Sequence, residues 1–189
     1  MSAIRRRFSV FFEWLLLGIA IGCLGFYAYE TVEARRFQAE QAVEFARAAG
    51  AYAPVTVRSG GLLGMLDVPR LKLTAPVIEG DDEATLKRAA GHLPDTALPW
   101  EQGNAAIAGH RDGLFRPLKD IKVGDEIRFR SSRDEFRYRV TGTAIVEPDD
   151  VSVLEPGSAA SLTLITCYPF YYVGNAPNRF IVRAERVSD

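Results

Sequence analysis

The hydrophobic pattern changes character along the chain. Residues 8–29 are apolar apart from Ser9 and Glu13, and as a helix these positions span roughly 33 Å, which is enough to cross a bilayer. Residues 30–49, rich in Ala, Glu, Arg and Gln, are typical of a helical stalk that continues the span. From residue 64 onward, short apolar segments alternate with Gly, Pro, Asp and Asn clusters, which is the pattern of strands and turns.

The region after residue 64 reads as an all-β domain. Two helical segments, 83–91 and 114–121, are short enough to be connections, so we predict a closed or nearly closed barrel. In the arginine-rich hairpin 126–140, apolar and arginine positions alternate with a period of two. A strand pair with one solvated face explains this alternation better than a binding patch. The predicted strands are GMLDVPRL, APVIEG, GNAAIAGH, DEIRFRS, EFRYRVTGTAIVEP, SLTLITCYPF and RFIVRAERV.

The N-terminal span predicts an uncleaved signal-anchor at the cytoplasmic membrane. Its end offers no small-x-small cleavage site, and three arginines (5–7) precede it against two (35 and 36) after it. The excess of positive charge keeps the N-terminus in the cytoplasm, so the barrel is extracytoplasmic. A lipoprotein signal ending at Cys23 is the alternative.

Four segments follow from these patterns. We predict a cytoplasmic basic tail (residues 1–7), a transmembrane helix (8–29), a helical stalk with a flexible linker (30–63) and a β-barrel domain (64–189). The 189 residues suit one globular domain with an appendage, and a net charge of −1 gives no basic excess for binding nucleic acid.

Cysteine usage singles out one thiol. An extracytoplasmic domain can form disulfides, yet the predicted barrel contains only Cys167. Cys23 lies in the membrane span, where a small apolar filler is the simplest interpretation. A buried core cysteine is the plain alternative for Cys167.

Three side chains lie at predicted strand ends: Cys167, His110 and Arg179. The first and last flank one loop, so an antiparallel hairpin places them on neighbouring rungs, whereas the position of His110 needs the fold. A thiolate nucleophile, an imidazole acid and base, and a cation for the oxyanion make up acyl-transfer chemistry. Arg179 could instead pair with a carboxylate. His92 is expected in a loop, and no ligand-pair spacing suggests a metal or other cofactor.

These motifs resemble the sortase family of membrane-anchored cysteine transpeptidases, and especially its class D. The resemblance covers residue 64 to the end and rests on TLITCYPF around Cys167, NRFIV around Arg179 and GNAAIAGHRDGLFRPL around His110. It implies an eight-stranded β-barrel without a cofactor, calcium dependence being left open. It also implies cleavage of an LPxTG-like sorting signal, with transfer to an amine of a cell-wall precursor or a pilin lysine.

The resemblance makes Cys167 the nucleophile, His110 the general acid and base, and Arg179 the oxyanion or substrate clamp. Thr166 and Asp112 receive supporting roles, although Asp112 could be only a turn residue. Specificity is expected from a groove lined by residues 145–154 and 168–178. A hydrolytic cysteine endopeptidase and a catalytically inactive, membrane-tethered peptide-binding barrel are the alternative functions.

Overall fold

The computed structural model describes residues 2–48, 57–172 and 174–187, and the chain divides into two compact units, Met1–Phe37 and Gln38–Asp189. A single long helix, α1 (Ser2–Ala48), carries the predicted span. Its segment Phe12–Arg47 is long and apolar enough to cross a membrane by length and composition. Residues 49–56, which include the first part of the predicted flexible linker, lie outside the described residues.

The second unit contains the predicted eight-stranded barrel, closed in the order β1-β2-β3-β4-β7-β8-β6-β5. The short helix α2 (Glu83–Leu86) and 3₁₀ turns at Pro69–Leu71, Arg116–Asp120 and Val151–Leu154 connect the strands. The strands are β1 (Leu62–Val68), β2 (Leu73–Glu79), β3 (Ala90–His92), β4 (Asn104–Ala108), β5 (Glu126–Arg130), β6 (Glu135–Val146), β7 (Ser161–Tyr168) and β8 (Asn178–Arg186).

The interior is filled by the apolar positions of the alternating strands. In the arginine-rich hairpin, Ile127, Phe129 and Tyr138 are at most 1% exposed, whereas Arg128 and Arg137 on the opposite face are exposed. The interpretation of this face as solvated is therefore confirmed. At the entry to the barrel, Gly60 and Gly61 exchange backbone hydrogen bonds with Glu79, so the chain joins β2 before β1 begins.

One prediction about the strands was wrong. The segment 83–91 was expected to be helical, with His92 in the loop after it, but α2 ends at Leu86 and β3 begins at Ala90. Gly91 explains the strand, because a Cβ there would lie 2.3 Å from the carbonyl oxygen of Gly80. His92 consequently ends a strand and is 1% exposed, where the sequence placed it in a loop.

Candidate active site

Cys167 and Arg179 are direct partners across the β7–β8 ladder. Opposite residues of an antiparallel pair project from the same face of the sheet. Leu164 and Thr166 are at most 2% exposed, with Leu164 in the core cluster, so the alternation of β7 turns Cys167 outward. The cysteine and the arginine are both half-buried, on the outside of the barrel and at its rim. The hairpin prediction is confirmed.

His110 is brought to the same rim by the parallel pairing of β4 with β7. The last paired residues are Ala108 and Ile165, and the ladder continues through a 3.0 Å hydrogen bond from Gly109 N to the Ile165 carbonyl. Continued for two more residues beyond the end of β4, this register would place His110 beside Cys167. His110 itself is exposed.

A tight turn fixes the backbone at His110. The His110 carbonyl accepts hydrogen bonds from Gly113 N at 3.3 Å and Phe115 N at 3.2 Å. The Phe115 ring, which is completely buried, packs directly against Gly109. A Cβ at Gly109 would lie only 2.7 Å from that ring, so glycine is needed for this close approach.

The two supporting residues differ in their surroundings. Thr166 is 2% exposed, and its Oγ1 donates a 2.7 Å hydrogen bond to the Gly109 carbonyl, which ties the residue before Cys167 to the residue before His110. Asp112 is exposed in the turn, and within the described residues it makes no hydrogen bond to His110. Its surroundings are those of a turn residue, while its role stays a prediction.

Arg179 contacts backbone, and in the described part of the chain it forms no ion pair. Its Nη1 donates to the carbonyls of Ala176 at 3.3 Å and Asn178 at 3.1 Å. Among the described residues, this guanidinium therefore does not pair with a carboxylate, which was the alternative prediction. On its other side Arg179 is paired with Val146 of β6.

The outer face of the sheet near Cys167 is apolar, and most of its side chains are small. The strand register assigns five residues to this face, of which Ala108, Ala144 and Ile165 are at least partly exposed and Ala106 and Ile181 are completely buried. Two segments flank it, the β6–β7 connection with exposed Val151 and the β7–β8 loop (residues 169–177) with exposed Tyr171 and Tyr172. The arrangement can hold an extended peptide above Cys167.

Glu83 is a charged residue near His110 that no sequence motif indicated. The pKa of Glu83 is held below its ordinary range, chiefly by the hydrogen bond and charge of Lys87 at 3.0 Å and to a smaller degree by His110. The N-terminal residue of α2 therefore lies within electrostatic range of the imidazole. Only the fold reveals this, because α2 is far from His110 in sequence.

The other histidine is not part of this rim. His92 Nδ1 lies 2.7 Å from Glu79 Oε2, and its Nε2 lies 2.9 Å from the Ala97 carbonyl, so the ring is enclosed by structural partners. Because a carbonyl only accepts, Nε2 carries a proton in this arrangement. The choice of His110 over His92 agrees with these positions.

Comparison with known proteins identifies the class. A sequence model of the sortase domain matches residues 66–187, and the chain belongs to the sortase family. Sortase D of Bacillus subtilis (strain 168) is 39% identical over 131 residues, covering 69% of this chain and 66% of the relative. Sortase A of Bacillus anthracis is 30% identical over 130 residues, covering 67% and 60%. The chain thus spans less than two thirds of the length of these curated relatives.

Solved structures agree with this assignment. A Sortase D5 transpeptidase of Clostridium perfringens superposes with a TM-score of 0.69 at 25% identity, covering 82% of this chain and 98% of that chain. Sortase A from Corynebacterium diphtheriae gives 0.64 at 33% identity, covering 68% and 61%. The predicted sortase barrel and the likeness to class D are both confirmed.

Proposed function

We propose that the chain is a membrane-anchored cysteine transpeptidase that cleaves an LPxTG-like sorting signal and transfers the acyl part to an amine. One observation carries the proposal. An unpaired thiol, a guanidinium and an imidazole come from three neighbouring strand ends at one rim, through the Cys167–Arg179 rung and the β4–β7 register. These are the groups that thiol-dependent acyl transfer requires.

The first half of the reaction forms a thioester. The thiolate of Cys167 attacks the carbonyl carbon of the threonine at the scissile bond, and the oxygen takes the negative charge. Arg179 stabilises that oxygen. The carbon–nitrogen bond then breaks, a proton passes from His110 to the departing amine nitrogen, and the acyl group remains on the sulfur.

The second half returns the enzyme to its starting state. His110 takes a proton from the incoming amine, whose nitrogen attacks the thioester carbon. A new amide bond forms as the carbon–sulfur bond breaks, and Cys167 leaves as thiolate. These steps use only side chains of the chain. An amine on a cell-wall precursor or a pilin lysine is the acceptor.

Thr166 and the flanking segments have positioning roles in this scheme. The hydrogen bond from Thr166 to the Gly109 carbonyl supports a role in keeping the nucleophile level with His110. The sorting peptide lies on the apolar floor between the β6–β7 connection and the β7–β8 loop. Because α1 anchors the enzyme with its N-terminus in the cytoplasm, the reaction is extracytoplasmic.

The test is incubation of the full chain in detergent with LPxTG-like peptides, with and without a simple amine, followed by mass analysis of products. Transpeptidation predicts an amine-linked product that disappears in Cys167→Ala and persists in the matched control Cys23→Ser. A hydrolysed product that added amine does not divert would indicate the endopeptidase instead. Peptide binding without any cleavage or adduct would indicate the inactive barrel, and either result contradicts the proposal.

A further inference from the structure

Arg111, the residue after His110, is a buried cation that the proposed chemistry does not use. It is 9% exposed, and its Nη2 donates to two carbonyls of the β7–β8 loop, at Tyr172 (2.7 Å) and Gly174 (2.8 Å). Its guanidinium carbon also lies 5.8 Å from the centre of the Tyr172 ring. A guanidinium removed from water needs such partners, so these contacts tie the loop to the segment that carries His110.

The guanidinium of Arg111 is only partly satisfied. Its Nη1 is buried and has no hydrogen-bond partner among the described residues. Buried donors without acceptors are rare in folded proteins, and they often occur at functional sites. The two loop carbonyls are therefore the hydrogen bonds that hold this charge in place.

The same loop is held at its other end by Arg179. The Nη1 of Arg179 donates to the carbonyls of Ala176, in the loop, and Asn178, the first residue of β8, so the two arginines hold neighbouring parts of one connection. Arg111 holds the middle of the loop, at Tyr172 and Gly174, and Arg179 holds its end, at Ala176. A displacement of the middle of the loop would move the backbone that Arg179 contacts at Ala176.

We infer that Arg111 is a positioning residue that couples His110 to Arg179 through the backbone of the β7–β8 loop. The inference rests on the proposed function for its catalytic consequence. Arg111 contacts neither the peptide nor the reacting atoms in this scheme. It sets the distance between the acid and the oxyanion clamp, and so acts on the transition state more than on peptide binding.

The variants are Arg111→Met, Arg111→Lys and Arg116→Met in the full chain in detergent. Methionine keeps an unbranched apolar side chain in the buried site and removes the charge and both hydrogen bonds, while the exposed loop carbonyls can bind water. Lysine keeps the charge but not the fork that reaches two carbonyls. Arg116 is the matched control, because it is exposed in the same segment and its side chain makes no hydrogen bond or ion pair among the described residues.

Two readouts separate positioning from general instability. Hydrogen exchange followed by mass spectrometry reports the loop amides of residues 170–178, and steady-state kinetics with a cleaved peptide reports kcat and KM. Kinetic constants are normalised to the fraction of Cys167 that a small alkylating reagent labels, and thermal melting is measured for each variant.

For Arg111→Met we expect loop exchange at least about tenfold faster, kcat lower by about tenfold to a hundredfold, and KM changed by less than about threefold. Arg111→Lys should fall between this variant and the wild type, and Arg116→Met should match the wild type. Loop exchange in Arg111→Met equal to that of the wild type would overturn the inference, as would a loss confined to KM or to thermal stability. If the wild type cleaves no peptide, the proposed function fails, and the exchange comparison still decides whether Arg111 holds the loop.

Discussion

Substitution of Gly109 by alanine tests whether the backbone entering His110 is fixed by close packing. Gly109 lies between the end of β4 and the turn at His110, and its amide and carbonyl both form hydrogen bonds with β7. The added methyl carbon would lie 2.7, 2.8 and 3.0 Å from three atoms of the Phe115 ring. Real Cβ atoms do not approach other carbons so closely, so either the ring or the backbone must move.

The expected magnitude follows from the burial of that ring. Phe115 is completely buried in the core cluster and has little room to retreat. Overpacking of this kind costs about 1–3 kcal/mol, which leaves a domain of ordinary stability folded. A shift of His110 by about 1 Å relative to Cys167 is enough to lower the rate of acyl transfer by about a hundredfold. Activity should therefore fall much further than stability.

The assay is kcat/KM for peptide cleavage together with the free energy of unfolding of the full chain in detergent. Gly113→Ala is a matched control in the same turn, since its methyl carbon would meet its nearest atom at 3.8 Å. Full activity of Gly109→Ala, or an equal loss in Gly113→Ala, would refute this account of His110.

Three further predictions concern stability. Glu79→Leu leaves Nδ1 of the buried His92 without its partner at 2.7 Å and should destabilise the barrel by about 1–3 kcal/mol in urea unfolding, and an unchanged free energy of unfolding would contradict this. Arg70 holds the pKa of Asp125 below its ordinary range, so the pair stabilises the fold above about pH 4 and that stability is lost as pH falls further. In Asp125→Asn the melting temperature should fall less steeply as the pH drops below about 4, and an unchanged fall would argue against the pair. Burial raises the pKa of Tyr138 to about 12, so spectrophotometric titration should find one tyrosine ionising above the others, which Tyr138→Phe removes.

The strands that sequence reasoning located correctly are those with a clear period. Ile127 and Phe129 alternate with arginines, and Leu162 and Leu164 lead directly to Cys167, so strand direction and exposed face could be read from the pattern. The Cys167–Arg179 rung followed because a hairpin brings its own ends together. Local geometry was sufficient for this half of the candidate site.

The remaining parts depend on contacts between distant segments. β3 has three residues, too few to show a period, and it exists because Gly91 permits close approach to Gly80. His110 meets β7 through a parallel pairing, and parallel strands are joined by long connections with no local signal. The hydrogen bonds from Arg111 to the β7–β8 loop likewise join residues about sixty positions apart. Such contacts are consequences of barrel closure.

The most direct measurement of the central claim is the intact mass of the full chain, quenched in acid shortly after mixing with a cleaved LPxTG-like peptide. The account predicts a single adduct of the mass of the acyl fragment, located on the peptide that contains Cys167 and removed when an amine is added. The adduct should be absent from Cys167→Ala and unchanged in Cys23→Ser. Cleavage that persists in Cys167→Ala, or an adduct on Cys23, would contradict it.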